Sequence, residues 1–233
     1  MKSVETISAS GEYEPATIVG DDPSDGVGLE IKLHPNAEAR IEYLDISNVF
    51  IGLIHYSGTI FIDELHIHGF GGDAINLRTG NFHVGRLHVH DNIQTRDYNE
   101  YHQDALQAYA VLEDGYTLDN TGEISNVTID EVIIHMDGAS CQGIIGSENC
   151  TYSNWNIGLT KLDIQVGHYY SMMFTNLLTS RLGGKSVNVS KPIRIRDVKD
   201  GGVPTSNVTL VGLNNKRNDF NPSSRQVRAT ILV

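Results

Sequence analysis

The sequence predicts an all-β chain folded as a single-stranded, right-handed parallel β-helix, a solenoid of short strands stacked coil upon coil. Three observations predict it. One apolar phrase recurs along the middle of the chain, a second strand-like run separates its copies, and no helical period interrupts either. The phrase reads apolar, two others, apolar, polar, apolar. Its copies are Ile41 to Ile46, Ile62 to Ile67, Val84 to Val89 and Ile129 to Ile134. A looser copy ends in Leu162-Asp163-Ile164, and another is read at Pro192-Ile193-Arg194-Ile195. The third apolar position advances from Ile46 to Ile67 to Val89, by 21 and then 22 residues.

In chain order, residues 1–36 form an N-terminal cap or lead-in, 37–197 the coils, and 198–233 a C-terminal cap that keeps strand-like pieces at Val208 to Leu213 and Val227 to Val233. Between the phrases lie the second runs: Leu53 to Tyr56, Asp73 to Leu77, Asp104 to Ala108, Gly143 to Gly146 and Ser171 to Phe174. β-Branched residues suit both strands, and Gly or Asn supplies the corners. A leucine-rich repeat is the rival, because Val84, Leu87, Val89 and Asn92 fit its Leu-x-x-Leu-x-Leu-x-x-Asn frame. That frame returns through a helix, whereas here the return carries a second alternating strand. Two inserts, 92–101 and 113–122, are long for corners and are expected to wall a binding surface held by the rigid stack.

Composition narrows the partners. The 233 residues hold 17 Lys plus Arg against 29 Asp plus Glu, a net charge of −12, which argues against affinity for nucleic acid or anionic membranes. No apolar run is long enough to span a bilayer, and Met1 to Gly11 lacks the apolar stretch of a signal peptide. Cys141 and Cys150 are expected to stay unpaired, since two thiols do not make a disulfide scaffold. The Asn-x-Ser/Thr triplets beginning at Asn126, Asn149, Asn188 and Asn207 read as turns, because Asn tolerates left-handed backbone geometry.

Stacking sets equivalent residues about 4.8 Å apart, so columns of side chains follow from the repeat. One column is Asp45, His66, His88, Ile133, Asp163 and Arg194; the next is Ser47, His68, His90, His135, Gln165 and Arg196. Alternation points Leu65 and Ile67 inward, so the five histidines of these columns face out. Zinc wants converging ligands and a straight ladder presents them in parallel, so no metal and no cofactor is expected. On the second run, Asp73 and Asp104 take one position in adjacent coils. Two carboxylates stacked there, facing water, could share a proton as acid/base cleavage of a glycosidic bond requires. His102 lies beside the pair, and Arg78 and Tyr109 leave the same strands at their far ends.

At these residues the chain resembles the pectate lyase and polygalacturonase superfamily of right-handed β-helices. Gly72-Asp73-Ala74-Ile75-Asn76-Leu77 is similar to the Asn-Thr-Asp-Gly-Phe-Asp-Ile motif of polygalacturonase-like glycoside hydrolases, Gln103-Asp104-Ala105-Leu106 to their Gln-Asp-Asp motif, and Arg194-Ile195-Arg196 to their Arg-Ile-Lys. The resemblance implies that Asp73 helps activate water, that Asp104 protonates the leaving oxygen, and that Arg194 and Arg196 hold a sugar carboxylate. Ala105 departs from the pattern where a second Asp belongs, Gln142 stands where the His of their Gly-His-Gly motif belongs, and Gly167-His168 comes one coil late.

The superfamily also contains lyases. On that alternative His102 or a ladder histidine such as His90 is the base, Tyr109 or Tyr101 the acid, and an Arg neutralises a uronic carboxylate. Sugar-binding candidates are His66, His68, His88, His135, Arg78 and His168, with Tyr98, Tyr101, Trp155, Tyr169 and Tyr170 to stack on sugar faces. The chain also resembles tailspike and depolymerase domains of bacteriophages, which implies a homotrimer and an extracellular or virion-associated location. Three readings therefore stand: glycoside hydrolysis through Asp73 and Asp104, elimination through a His or Tyr base, and a spike that binds a polysaccharide without chemistry.

Overall fold

The computed structural model describes residues 3–95, 102–112, 117–119, 122–137, 141–146, 150–164, 172–174, 177–182, 185–189 and 193–195. Among them there are seventeen strands and no helix. The strands form two sheets. One comprises β1 (Ser3–Ile7), β4 (Val27–Lys32), β6 (Ile51–Ser57), β8 (Ile75–Leu77), β10 (Gln103–Ala108), β12 (Cys141–Gly146), β14 (Met172–Phe174) and β17 (Ile193–Ile195), in that spatial order. The other holds β2 (Gly11–Tyr13), β3 (Ala16–Val19), β5 (Glu38–Ser47), β7 (Thr59–His68), β9 (Phe82–His90), β11 (Glu123–Met136), β13 (Thr151–Ile164), β15 (Leu177–Leu182) and β16 (Lys185–Val189). From β3 to β15 successive strands alternate between the sheets, and from β1 to β15 the paired strands run parallel, giving a β-solenoid of about six turns; β16 and β17 pair antiparallel at the far end. The parallel stack starts before residue 37, since β1 pairs with β4, and β2 and β3 both pair with β5.

The recurring phrase explains the long strands. In β7, Ile60, Ile62, Leu65 and Ile67 are buried, while Asp63 and Glu64 between them are not. Alternation therefore slips once, at the pair of outward residues, and the strand carries its inward side chains around a bend. The same slip recurs at Glu42-Tyr43 and Gly85-Arg86. Inward residues of all coils merge into one core, closed at its far end by Tyr152, Trp155 and Phe174, whose rings meet edge to face at centroid distances of 5.1–5.6 Å.

Corners use left-handed backbone. Asn48, Gly69 and Asp91 follow equivalent strand ends with φ of 55°, 61° and 51°. A second row, Asn81, Asn126 and Asn154, has φ of 56°, 59° and 54° and a side-chain ladder: Asn126 Nδ2 donates to Asn81 Oδ1 at 3.0 Å, and Asn154 Nδ2 to Asn126 Oδ1 at 2.7 Å. Asn126 thus has the left-handed backbone expected of it, but at a kink inside β11 and not in a turn before the strand. Cys141 and Cys150 are free and buried.

The columns need two corrections. β13 pairs Ile133 with Lys161 and His135 with Asp163, so Asp163 extends the His68 column and not the His66 column. Arg194 leaves the columns altogether, because β17 lies in the other sheet, antiparallel to β14, with Arg194 opposite Met173. Gln165, Arg196 and the tail from 198 lie outside the described residues.

Candidate functional site

The histidine face is built by β5, β7, β9 and β11. Register sets Asp45, His66, His88 and Ile133 in one row and Ser47, His68, His90 and His135 in the next, as the repeat predicts. The rings touch along and across the rows. His68 and His90 stack at 5.0 Å and nearly parallel, His66 meets His88 edge-on at 5.3 Å, and His88 and His90 lie 4.4 Å apart. The ladder is therefore not a set of parallel, separate side chains.

Carboxylates sit against the rings. His66 Nε2 is 2.8 Å from Glu64, His90 Nδ1 is 2.8 Å from Asp91, His68 Nε2 is 3.2 Å from Asp45 and His135 Nε2 is 3.8 Å from Asp137. His88 sits among rings instead: burial and then the neighbouring His90 and His66 hold its pKa below the usual histidine value. Beyond His68 the surface opens into a depression of about 410 Å³ lined by His68, Gly69, Asp91, Asn92, Ile93, His135 and Asp137. That volume falls within the range of small-molecule sites.

Asn92 anchors the floor of this depression. Its Nδ2 donates to Gln103 Oε1 at 2.6 Å and to the Asp137 carbonyl, its Oδ1 accepts from the Asp137 amide, and Gln103 Nε2 donates to the carbonyls of Gly71 and Ile93. The sequence placed Asn92 at the start of an insert expected to wall a binding surface and Gln103 beside Asp104, but nothing periodic marks the bond between them.

The carboxylate pair lies on the other sheet. Asn76 pairs with Gln107, which places Asp73 beside Asp104 as expected, and the Asp104 amide donates to Asp73 Oδ1 at 3.1 Å. The expectation that both face water is wrong. Asp73 is 3% exposed and Asp104 0%, so neither carboxylate faces water where a polysaccharide could reach it. Their row begins with Val27 and Ile51 of a second apolar cluster, and the insert lies close by, with Ile93 bonded to Phe70 and Thr95 to Gly71. Burial, followed by Asp104, raises Asp73 to about 7, and burial raises Asp104 as well. Among the described residues, His102 is the neighbour that faces the otherwise unpartnered oxygens of Asp104.

His102 is the route from this pair to the surface. Its ring is 39% exposed, with Nε2 3.4 Å from Asp104 Oδ2, and that contact raises its pKa. Tyr109 does not join it. The two residues stand at opposite ends of β10, with the Tyr109 ring 3.9 Å from the Arg78 guanidinium and its hydroxyl pushed up to about 12 by burial. Arg78 is therefore not available to the histidine face either. Trp155, expected to stack on sugar, is 0% exposed and bonded through Nε1 to the Ile124 carbonyl, so it is a core residue. Tyr98, Tyr101, His168, Tyr169 and Tyr170 lie outside the described residues.

Fold and site define a class: a parallel β-solenoid with a histidine-rich polar face and a buried acidic pair behind one half-exposed histidine. Comparison with protein-family models, with curated proteins and with solved structures finds no match to this chain.

Proposed function

We propose that the protein binds an acidic polysaccharide at the surface beside His102 and cleaves it by β-elimination, with His102 as general base. The observation that carries this reading is the pairing of half-exposed His102 with fully buried Asp104. A carboxylate behind an imidazole fixes its tautomer and orientation and stabilises the imidazolium that forms when a proton is taken. Asp104 needs no contact with sugar to do this. With Nε2 turned to Asp104, Nδ1 is the nitrogen that accepts the proton alpha to a uronic carboxylate. The bond to the leaving oxygen then breaks, a carbon–carbon double bond forms, and the leaving oxygen takes a proton from water. The resemblance to pectate lyase-like β-helices supports the same chemistry, together with an extracellular or virion-associated setting and a homotrimer of the tailspike kind.

The test is incubation with a panel of uronate-containing and neutral polysaccharides, read by the absorbance of unsaturated uronate and by reducing ends. Elimination produces both signals. His102→Ala should lower the rate at least a hundredfold, within the range a general base supplies. Asp104→Asn should lower it by about tenfold or more with folding intact. Reducing ends without the absorbance would replace elimination by hydrolysis, and glycan bound but never cut would leave a receptor-binding spike.

A further inference from the structure

Three imidazoles converge on the histidine face, from two rows and two coils: His66 on β7, and His88 and His90 on β9. One ring nitrogen of each lies within 4.8 Å of the other two. A tetrahedral zinc ion with bonds of about 2.0–2.1 Å would hold such nitrogens about 3.4 Å apart. Small rotations of the three side chains close that difference, since all three are only partly buried and stand on the outer face.

The surroundings are those of a metal site. Glu64 holds His66 Nε2 and Asp91 holds His90 Nδ1, each at 2.8 Å. Carboxylates in this position orient a ligating imidazole and raise its basicity. His88 has rings on both sides, 5.3 Å from His66 and 4.4 Å from His90, and is the central ligand. Three nitrogen donors without a thiolate suit zinc, copper or nickel and do not suit calcium or magnesium, which demand oxygen. Three protein ligands also leave a fourth position open, as in catalytic rather than structural zinc sites.

We propose that His66, His88 and His90 bind one divalent transition-metal ion of the zinc class, with an open coordination position turned to solvent. The ion would stand next to the depression, because His90 stacks on His68 of its lining. It would supply a positive centre on a chain of net charge −12, where an anionic ligand otherwise finds repulsion.

Zinc alone tests this, without any glycan. The full chain, stripped with a chelator and titrated with Zn²⁺ in a calorimeter, should take up one ion, and Co²⁺ should give the visible absorption of a tetrahedral site. His88→Ala should weaken zinc binding at least tenfold. His66→Ala should do the same and decides the matter if His88→Ala does not fold. His34→Ala, on a ring elsewhere on the surface, should bind as the parent does. The proposal is overturned by an absence of saturable zinc uptake in the parent chain, or by undiminished uptake in the variants of His66 and His88. Failure of the cleavage assay would leave the metal site standing, and failure of zinc binding would leave His102 and Asp104 untouched.

Discussion

Asp73 and His55 are two buried ionisable residues whose effects on stability run in opposite directions. Asp73 rises from its ordinary 3.8 to about 7, so the folded chain keeps a proton that the unfolded chain gives up. Its stabilising contribution is fully present below about pH 4 and is lost as pH climbs toward 7. His55 lies in the core between Ile31 and Leu77 and is 0% exposed. Burial lowers its pKa from 6.5 to about 4, so its contribution is present above pH 6.5 and is lost on acidification toward 4. At roughly 1.4 kcal/mol per unit of pKa, His55 alone is worth on the order of 3 kcal/mol across that window. Over the same window Asp73 offsets it. Asp73→Asn should therefore lose stability on acidification more steeply than the parent, whereas His55→Leu should gain stability at acidic pH and lose it as pH rises. Urea midpoints measured from pH 4 to pH 7 check both, and three parallel profiles would refute the assignment. The placement of Asp73 beside Asp104 was legible, because a spacing of 31 residues is conserved along both strands, from Asp73 and Asp104 to Leu77 and Ala108. Its burial was not. What lies over a corner depends on neighbouring loops such as Ile93 to Thr95, whose path no periodicity encodes.

Elements obey the repeat wherever apolar side chains mark all three inward positions. The four clear copies pair in the predicted register, with Leu44, Leu65, Leu87 and Val132 in one row. The copy in β13 misleads because Thr160 takes the register position of Val132 and Ile164 beyond it imitates the end of the phrase. A polar residue at one position of the phrase thus moved Asp163 by two places. Corners were legible by composition, since only Asn, Asp or Gly enters left-handed backbone cheaply. The bonds between successive Asn side chains required the register as well. Asn126 sits at the centre of that ladder and separates the two effects. Asn126→Gly keeps the backbone and removes two side-chain bonds, for a loss of about 1–2 kcal/mol. Asn126→Ala adds the left-handed penalty, for about 2–4 kcal/mol in all. Thermal or urea unfolding measures both, and equal losses in the two variants would show that backbone strain contributes nothing at this corner.

At the scale of the whole molecule, each long strand from β5 to β13 pairs with strands of the coil before and the coil after: among the described residues β9 pairs with β7 and β11. A stack of this kind is quasi-one-dimensional, its stability a sum of coil terms and interfaces between neighbours. The site inherits this arrangement. His66, His88 and His90 come from two adjacent coils, and Asn92 joins the end of β9 to the start of β10 and to Asp137 after β11, so the face is held only as firmly as the coils beneath it. Leu87, buried at the middle of the stack, tests the coupling. Leu87→Ala should cost about 2–5 kcal/mol, the usual range for a large buried side chain cut to Ala. If neighbours alone are coupled, hydrogen exchange should show the largest loss of protection in β7, β9 and β11, with β1 and β4 retaining most of theirs. Uniform loss along the chain would mean that the solenoid opens as one unit. In that event the histidine face would share the stability of the whole stack and would not respond to its own coils alone.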